Sequence, residues 1–310
     1  MPEYPDITVY IERLEEFVSG QALEQIRFVS PFFLRTAEPP IKSIHGAVVR
    51  GFKRIGKRIV FVFDDERFLV LHLMVASRLY WRDRLCKIPS KRGLAAFDFP
   101  CGSLLITEAS SKKRAALHFV KGHDALDSFD SGGLEVFAAS IDEFRSSLLA
   151  ENHTLKRALT DPRILSGIGN AYSDEILHRA RLSPILLTEK LTEDQIDRLY
   201  HAIRDTLQEW TQRLQEEVGN GFPEKVTAFR KDMSVHGRYG KPCPVCGKPV
   251  QRIRYAARET NYCPQCQTGG KLLADRALSR LLKKDWPRTL EELEVKKRHI
   301  SRNLTNSTLS

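Results

Sequence analysis

The chain has 310 residues, room for about two domains of ordinary size with sizeable cores. Lys and Arg number 49 against 39 Asp and Glu, a formal charge of +10 that suits a polyanionic partner, and 42% hydrophobic with 28% charged residues excludes wholesale disorder. No apolar run approaches the roughly 20 residues that cross a bilayer, Glu3 and Asp6 stand where a secretory signal carries basic residues, and six cysteines are too few for a disulfide scaffold, so a soluble, intracellular protein with no membrane partner is expected.

Ile7, Tyr10, Ile11, Leu14, Phe17 and Val18 recur at spacings of three and four, which predicts an opening helix with one buried stripe and Gly20 as its stop. β-rich runs follow at 59–63, 68–73, 95–99 and 104–106, separated by basic or Gly/Pro/Asp-containing segments, the pattern of antiparallel sheets. SFDSGG at 128–133 is a loop signal and a first boundary. From 141 to 218 the pattern is helical. Thr192 and Gln195 have capping-box spacing ahead of a stripe of Ile196, Leu199, Ile203, Leu207, Trp210 and Leu214, which reads as core. GNGFPEK at 219–225 breaks the helix. Four regions are therefore expected: 1–135, 136–225, 226–270 and 271–310. In the last, Leu272, Leu273, Leu278, Leu281 and Leu282 predict an amphipathic helix packed on the body, followed by a disordered Ser/Thr/Asn tail.

Two stretches carry chemistry. Between Lys225 and Arg258 nine Lys or Arg stand against one acid, Asp232, a bias too local to be a by-product of the global charge. Within it Cys243-Pro-Val-Cys246 is separated from Cys263-Pro-Gln-Cys266 by 16 residues, room for a β-hairpin. Two such knuckles can place four thiolates around one structural Zn²⁺, with no position left for water or substrate; a redox dithiol is the alternative. Cys86 and Cys101 stand alone and are expected as buried or partly buried free thiols. Earlier, Ser166-Gly-Ile-Gly-Asn170 joins two helical segments, with Asn170 where an N-cap belongs. Glycines ahead of a helix N-terminus let a backbone approach an anion, of which a DNA phosphate is the obvious one; an ordinary tight turn is the plain alternative.

These parts, in this order, resemble the formamidopyrimidine-DNA glycosylase and endonuclease VIII family. That family opens Met-Pro-Glu-x-Pro-(Glu/Asp), here MPEYPD; it carries a helix-two-turn-helix motif, here GIGNAYSDEIL; and it closes in a four-cysteine zinc hairpin preceded by GR-x-G-x-PC, here GRYGKPC, with an Arg five residues before the third cysteine, here Arg258. The resemblance spans about 2–267. It implies an α+β multidomain fold: an N-terminal antiparallel β-sandwich with a flanking helix, a helical helix-two-turn-helix domain, and a C-terminal zinc β-hairpin. It also implies a monomeric base-excision-repair DNA glycosylase with abasic-site lyase activity on damaged double-stranded DNA.

Residue by residue, the resemblance implies that removal of Met1 exposes Pro2 as a secondary-amine nucleophile, and that Glu3 serves as general acid and base. An α-amine titrates near roughly 8 and a lysine near about 10.4, so its neutral fraction is larger by a few hundred-fold, which favours Pro2 over Lys57 as nucleophile. Lys57, in RIGKRIVF, would bind flanking phosphates and assist β-elimination. His72, Asn170 and Arg258 would clamp phosphates, and Arg258 would also assist δ-elimination. Cys243, Cys246, Cys263 and Cys266 would hold the zinc. A plainer role for Glu3 is a helix N-terminal acid, which Asp6 also suits.

The chain departs from the family in its DNA-filling parts. Val75 occupies the usual Met position, ASSKKRAALHF at 109–119 replaces the DPRRFG loop without its Phe, Asp161-Pro162 stands for Asp-Gln, and Tyr4 replaces the Leu or Gly that separates branches. Lesion preference is thus left open by the sequence. A lyase acting only at abasic sites and a non-catalytic binder of damaged DNA are the competing readings.

Overall fold

The computed structural model describes residues 1–227, 229–255, 258–274, 286–293 and 295–296. The chain divides into two compact units, one of Met1–Ser140, Asp161–Gly169 and Leu207–Ala228, the other of Ile141–Thr160, Asn170–Thr206 and Phe229–Ser310.

In the first unit α1 (Tyr4–Val18) follows the predicted stripe: Ile7, Tyr10, Leu14 and Val18 are buried in the core. Eight strands follow, β1 (Gln25–Phe28), β2 (Val49–Ile55), β3 (Arg58–Phe63), β4 (Arg67–His72), β5 (Ser77–Arg82), β6 (Gly93–Phe99), β7 (Gly102–Glu108) and β8 (Ala116–Lys121), then a short α2 (His123–Asp127). They form two antiparallel sheets, ordered β1-β6-β7-β5 and β2-β3-β4-β8. The period-2 alternation of a strand decides what each face meets. In β3 and β4, Ile59, Phe61, Phe63, Leu69 and Leu71 turn to the core shared with α1 and the other sheet, beside Phe97, Leu104 and Ile106. Val60, Phe68 and Val70 turn the other way, onto Leu126 of α2. This is the expected antiparallel sandwich with a flanking helix. The four strands read from the sequence are the inner strands of the two sheets; the four it did not name are the outer ones. Cys86 is partly buried as expected. Cys101 is exposed, contrary to expectation, because it lies in the turn between β6 and β7.

The second unit holds α3 (Ile141–Leu149), α4 (Leu155–Thr160), α5 (Asn170–Arg179), the first part of α6 (Glu193–Val218), the hairpin of β9 (Gln251–Tyr255) and β10 (Arg258–Tyr262), and α7 (Pro264–Thr268). The capping box of α6 forms as predicted, Thr192 N–H to Gln195 Oε1 at 3.1 Å and Gln195 N–H to Thr192 Oγ1 at 3.3 Å, and the whole apolar stripe behind it is buried. α5 is unusual in being buried from Ala171 to His178, polar residues included. Beyond α7, Leu272 and Leu290 are buried, and Leu273 N–H reaches Tyr262 Oη at 2.7 Å. The predicted Leu278, Leu281 and Leu282 of the C-terminal helix and the tail at 301–310 lie outside the described residues. Among the described residues no helix is long and apolar enough to cross a membrane.

Candidate active site and metal centre

In the first unit the chain start, the β2–β3 hairpin and the Gly167–Gly169 turn meet. Pro2 is buried, and Glu3 is the N-cap of α1, making the reciprocal contacts of a capping box with Asp6, whose Oδ2 accepts Glu3 N–H at 3.0 Å. So both acids do serve the helix N-terminus. Glu3 does more: its Oε2 accepts the N–H of Gly169 at 2.7 Å, while Tyr4 N–H donates to Gly167 O at 2.9 Å. A Cβ at Gly169 would stand 2.6 Å from Glu3 Cδ, so this glycine, read from the sequence as part of an anion approach, is needed here by a carboxylate of the chain itself, while Gly167 is needed for its φ of +80 beside Tyr4.

Burial holds the Met1 α-amino group below its ordinary value, Lys57 acting in the same sense and Glu3 and Asp6 against it. An amine at this place is biased toward its neutral, nucleophilic form. Lys57 is presented on the two-residue turn between β2 and β3, next to Gly56, whose φ of +57 the turn requires. His72 closes β4 opposite Arg58 in the ladder. Burial, with Arg58, Lys57 and His118 adding, pushes its imidazole down to about 4.

The sequence offered no signal for the brace behind this cluster. Arg54 of β2 stacks its guanidinium 4.5 Å over the Tyr4 ring and pairs with the Glu135 carboxylate, which also accepts Ser166 Oγ–H at 2.5 Å. Arg54 donates to Gly56 O at 2.8 Å as well. One guanidinium thus links the residue after Glu3, the Lys57 turn and the start of the glycine turn. Its partners lie 81 and 112 residues away, with no periodicity to reveal them.

In the second unit α5 presents polar groups along its buried length. Asn170 is its first residue and not its cap; the side-chain Nδ2 donates to Glu259 O of β10 at 2.9 Å. Asp174 accepts from Lys156 Nζ at 2.5 Å, Asn261 N–H at 3.1 Å and the His236 ring at 2.7 Å. Glu175 accepts three successive backbone N–H groups, those of Ser234, Val235 and His236, at 2.7 to 2.9 Å. Burial pushes its carboxyl up against the pull of those donors. Arg258 begins β10, in register with Tyr255. Of the nearby cations, Arg252 and Arg254 are each 3.2 Å from Glu259, so part of the local positive charge is balanced within the hairpin.

The four predicted cysteines converge. Their sulfurs all lie within 4.8 Å of one another, with Cys246 to Cys263 at 3.3 Å and Cys243 to Cys266 at 3.9 Å. A tetrahedral zinc with arms of about 2.3 Å sets its sulfurs about 3.8 Å apart, so the cluster fits Zn²⁺. Burial pushes the Cys263 thiol up and that of Cys266 to about 11; thiolates packed this closely need a cation to form. The site is a structural zinc centre held by sulfur alone.

Comparison with known proteins divides the chain as these sites do. Residues 1–124 match the N-terminal domain of formamidopyrimidine-DNA glycosylase, 135–218 its H2TH domain, and 240–269 the zinc finger found in FPG and IleRS. The formamidopyrimidine-DNA glycosylase of Thermus thermophilus is 30% identical over 283 residues, covering 87% of this chain and all of that protein. An uncharacterised formamidopyrimidine-DNA glycosylase-like protein of Mycobacterium tuberculosis is 42% identical over 151 residues, 49% of this chain and 94% of its own length. The Lactococcus lactis Fpg in complex with DNA containing an abasic site superposes with a TM-score of 0.76 at 25% identity, covering 86% of this chain and 99% of that one.

Proposed function

The chain belongs to the formamidopyrimidine-DNA glycosylase family, and from that membership we propose how its own residues carry out excision and strand cleavage. It is a DNA glycosylase of base-excision repair with abasic-site lyase activity, and damaged DNA is its partner.

The nucleophile is the Pro2 nitrogen, freed by removal of Met1. Its lone pair forms a bond to the deoxyribose C1′ as the C1′–N bond to the damaged base breaks, and the proton that the attacking nitrogen gives up is the one with which the base leaves. Glu3 donates a proton to the ring oxygen as the C1′–O bond opens, and the Pro2 nitrogen becomes a cationic imine. The Glu3 carboxylate, having protonated the ring oxygen, takes the C2′ proton to give an enamine, whose electrons expel the 3′ phosphate and leave a conjugated imine that water hydrolyses to free Pro2. Lys57, His72, Asn170 and Arg258 bind the phosphates on either side, offsetting the cost of turning the nucleotide out of the stack. A neutral His72 offers a phosphate an N–H hydrogen bond and not a charge.

The observation that carries this reading is the company of the chain start: Pro2 is buried, and the carboxylate of the next residue, Glu3, is fixed by Gly169 N–H. Borohydride reduction during reaction with oxidised-base or abasic duplex tests it. The expected covalent adduct maps by peptide mass spectrometry to Pro2; an adduct on Lys57, or none, overturns it. A lesion panel of 8-oxoguanine, formamidopyrimidine and thymine glycol then sets the preference and separates excision from lyase activity alone.

A further inference from the structure

The zinc thiolates carry more negative charge than the ion they bind. Four thiolates on Zn²⁺ leave a net charge of −2 in a partly buried pocket, and donors to sulfur must spread it. Two sulfurs receive backbone N–H groups from their own knuckles: Cys246 from Lys248, and Cys263 from Cys266 at 3.5 Å. Cys243 is supplied differently. The Nε2 of His178 stands 3.3 Å from its sulfur, and His178 belongs to the last turn of α5, 65 residues earlier in the chain. Both residues are buried. A metal-bound thiolate has no proton to give, so in this contact the imidazole is the donor, with its hydrogen on Nε2.

We propose that His178 is an outer-sphere residue of the zinc centre: its Nε2–H bonds to the Cys243 thiolate, so that α5 helps set how firmly the chain holds its metal. The inference does not depend on the catalytic roles assigned above. It gives α5 a second function. The helix is fastened to the zinc module along its length, by Asn170 to Glu259 O, by Glu175 to the N–H groups of 234–236, and by His178 to a metal ligand. Loss of zinc therefore releases the far end of the helix that begins with Asn170.

The test uses the full-length zinc protein with His178→Phe, which keeps a ring and removes the donor, and His178→Gln, which restores an N–H. Zinc release to a coloured chelator is the first readout, and the near-ultraviolet thiolate-to-metal band of the Co²⁺-substituted protein the second. Outer-sphere partners of this kind contribute on the order of 10-fold to 100-fold to metal affinity. His178→Phe should accelerate release by that order and move the cobalt band to lower energy, since a thiolate without its donor is the better electron source; His178→Gln should recover most of both. Unchanged release and an unmoved band in His178→Phe overturn the proposal. So does equal zinc loss in both variants with the Gln band shifted as far as the Phe band, which marks His178 as packing only.

Discussion

The N–H of Gly169 donates to the Glu3 carboxylate at 2.7 Å across 166 residues of sequence, and the space between them leaves no room for a methyl group. Gly169 does not lie in the left-handed region, so alanine there is strained by Glu3 alone. Gly169→Ala should displace the carboxylate and slow base excision. Glu3→Gln, which keeps the shape and removes the proton-transfer group, should lower the single-turnover rate by about 100-fold to 10,000-fold. Both should bind abasic duplex within a few-fold of the parent chain. A normal excision rate in Glu3→Gln would remove Glu3 from the chemistry.

Arg54 makes a second, separable prediction. Its guanidinium is mostly buried and its partner Glu135 is half exposed, so the pair lies between a surface bridge and a core one. Arg54→Ala should cost about 1–3 kcal/mol of stability, measured by denaturant unfolding. It should also slow excision, since Tyr4 and the Lys57 turn lose a common support. Lys at this position should not restore either property, because stacking on Tyr4 needs a planar cation.

How much of this was legible in the sequence follows from geometry. β3, β4, β6 and β7 are the inner strands, flanked by partners on both sides; β6 and β7 are buried at every residue, and their apolar stretches at 94–97 and 104–106 are what the sequence showed, while the buried Asp98 and Glu108 interrupt them. β1, β2, β5 and β8 are edges. QIRF, VRGFKRI, SRLYWR and ALHFVK carry the charges that keep an edge from recruiting another strand, and those same charges hid them. The helical stripes of α1 and α6 and the cysteine spacing were equally plain, since one period or one coordination sphere dictates the residue type. Asn170 was misplaced by one position, at a helix boundary, where its side chain turned out to serve β10. Arg54, Glu135 and Glu175 had no signal because each is defined by partners distant in sequence.

The His72 imidazole gives the stability a pH dependence of known sign. Its value in the folded chain, about 4, lies below the ordinary 6.5, so between these limits the unfolded chain binds the extra proton. Stability should rise with pH across about 4 to 6.5 and the contribution should be complete above that window. It is lost as pH falls through it. His118, held low by burial with Arg58 and Arg35 adding, acts in the same sense. His72→Gln should therefore flatten the slope of the urea midpoint against pH without abolishing it. A slope identical to that of the parent chain would contradict the burial assigned to His72.

Zinc removal should separate the two units. Among the described residues the apolar cluster around the metal is Val235, Val250 and two of the ligands themselves, Cys243 and Cys263, too little surface to hold a hairpin without the ion. The core of the first unit draws its residues from α1, the two sheets and as far along the chain as Val226, and among the described residues none from the metal module. Chelation should thus abolish DNA binding and leave the near-ultraviolet signal of Tyr10 and Trp81 in place. Arg258→Ala is the finer probe. If Arg258 binds one phosphate, its loss should weaken binding evenly across sequences and reduce the log–log salt slope by about 0.9. The same slope with weaker binding would mean that Arg258 acts on the hairpin and not on the DNA, and the phosphate role would pass to another of the nine cations between 225 and 258.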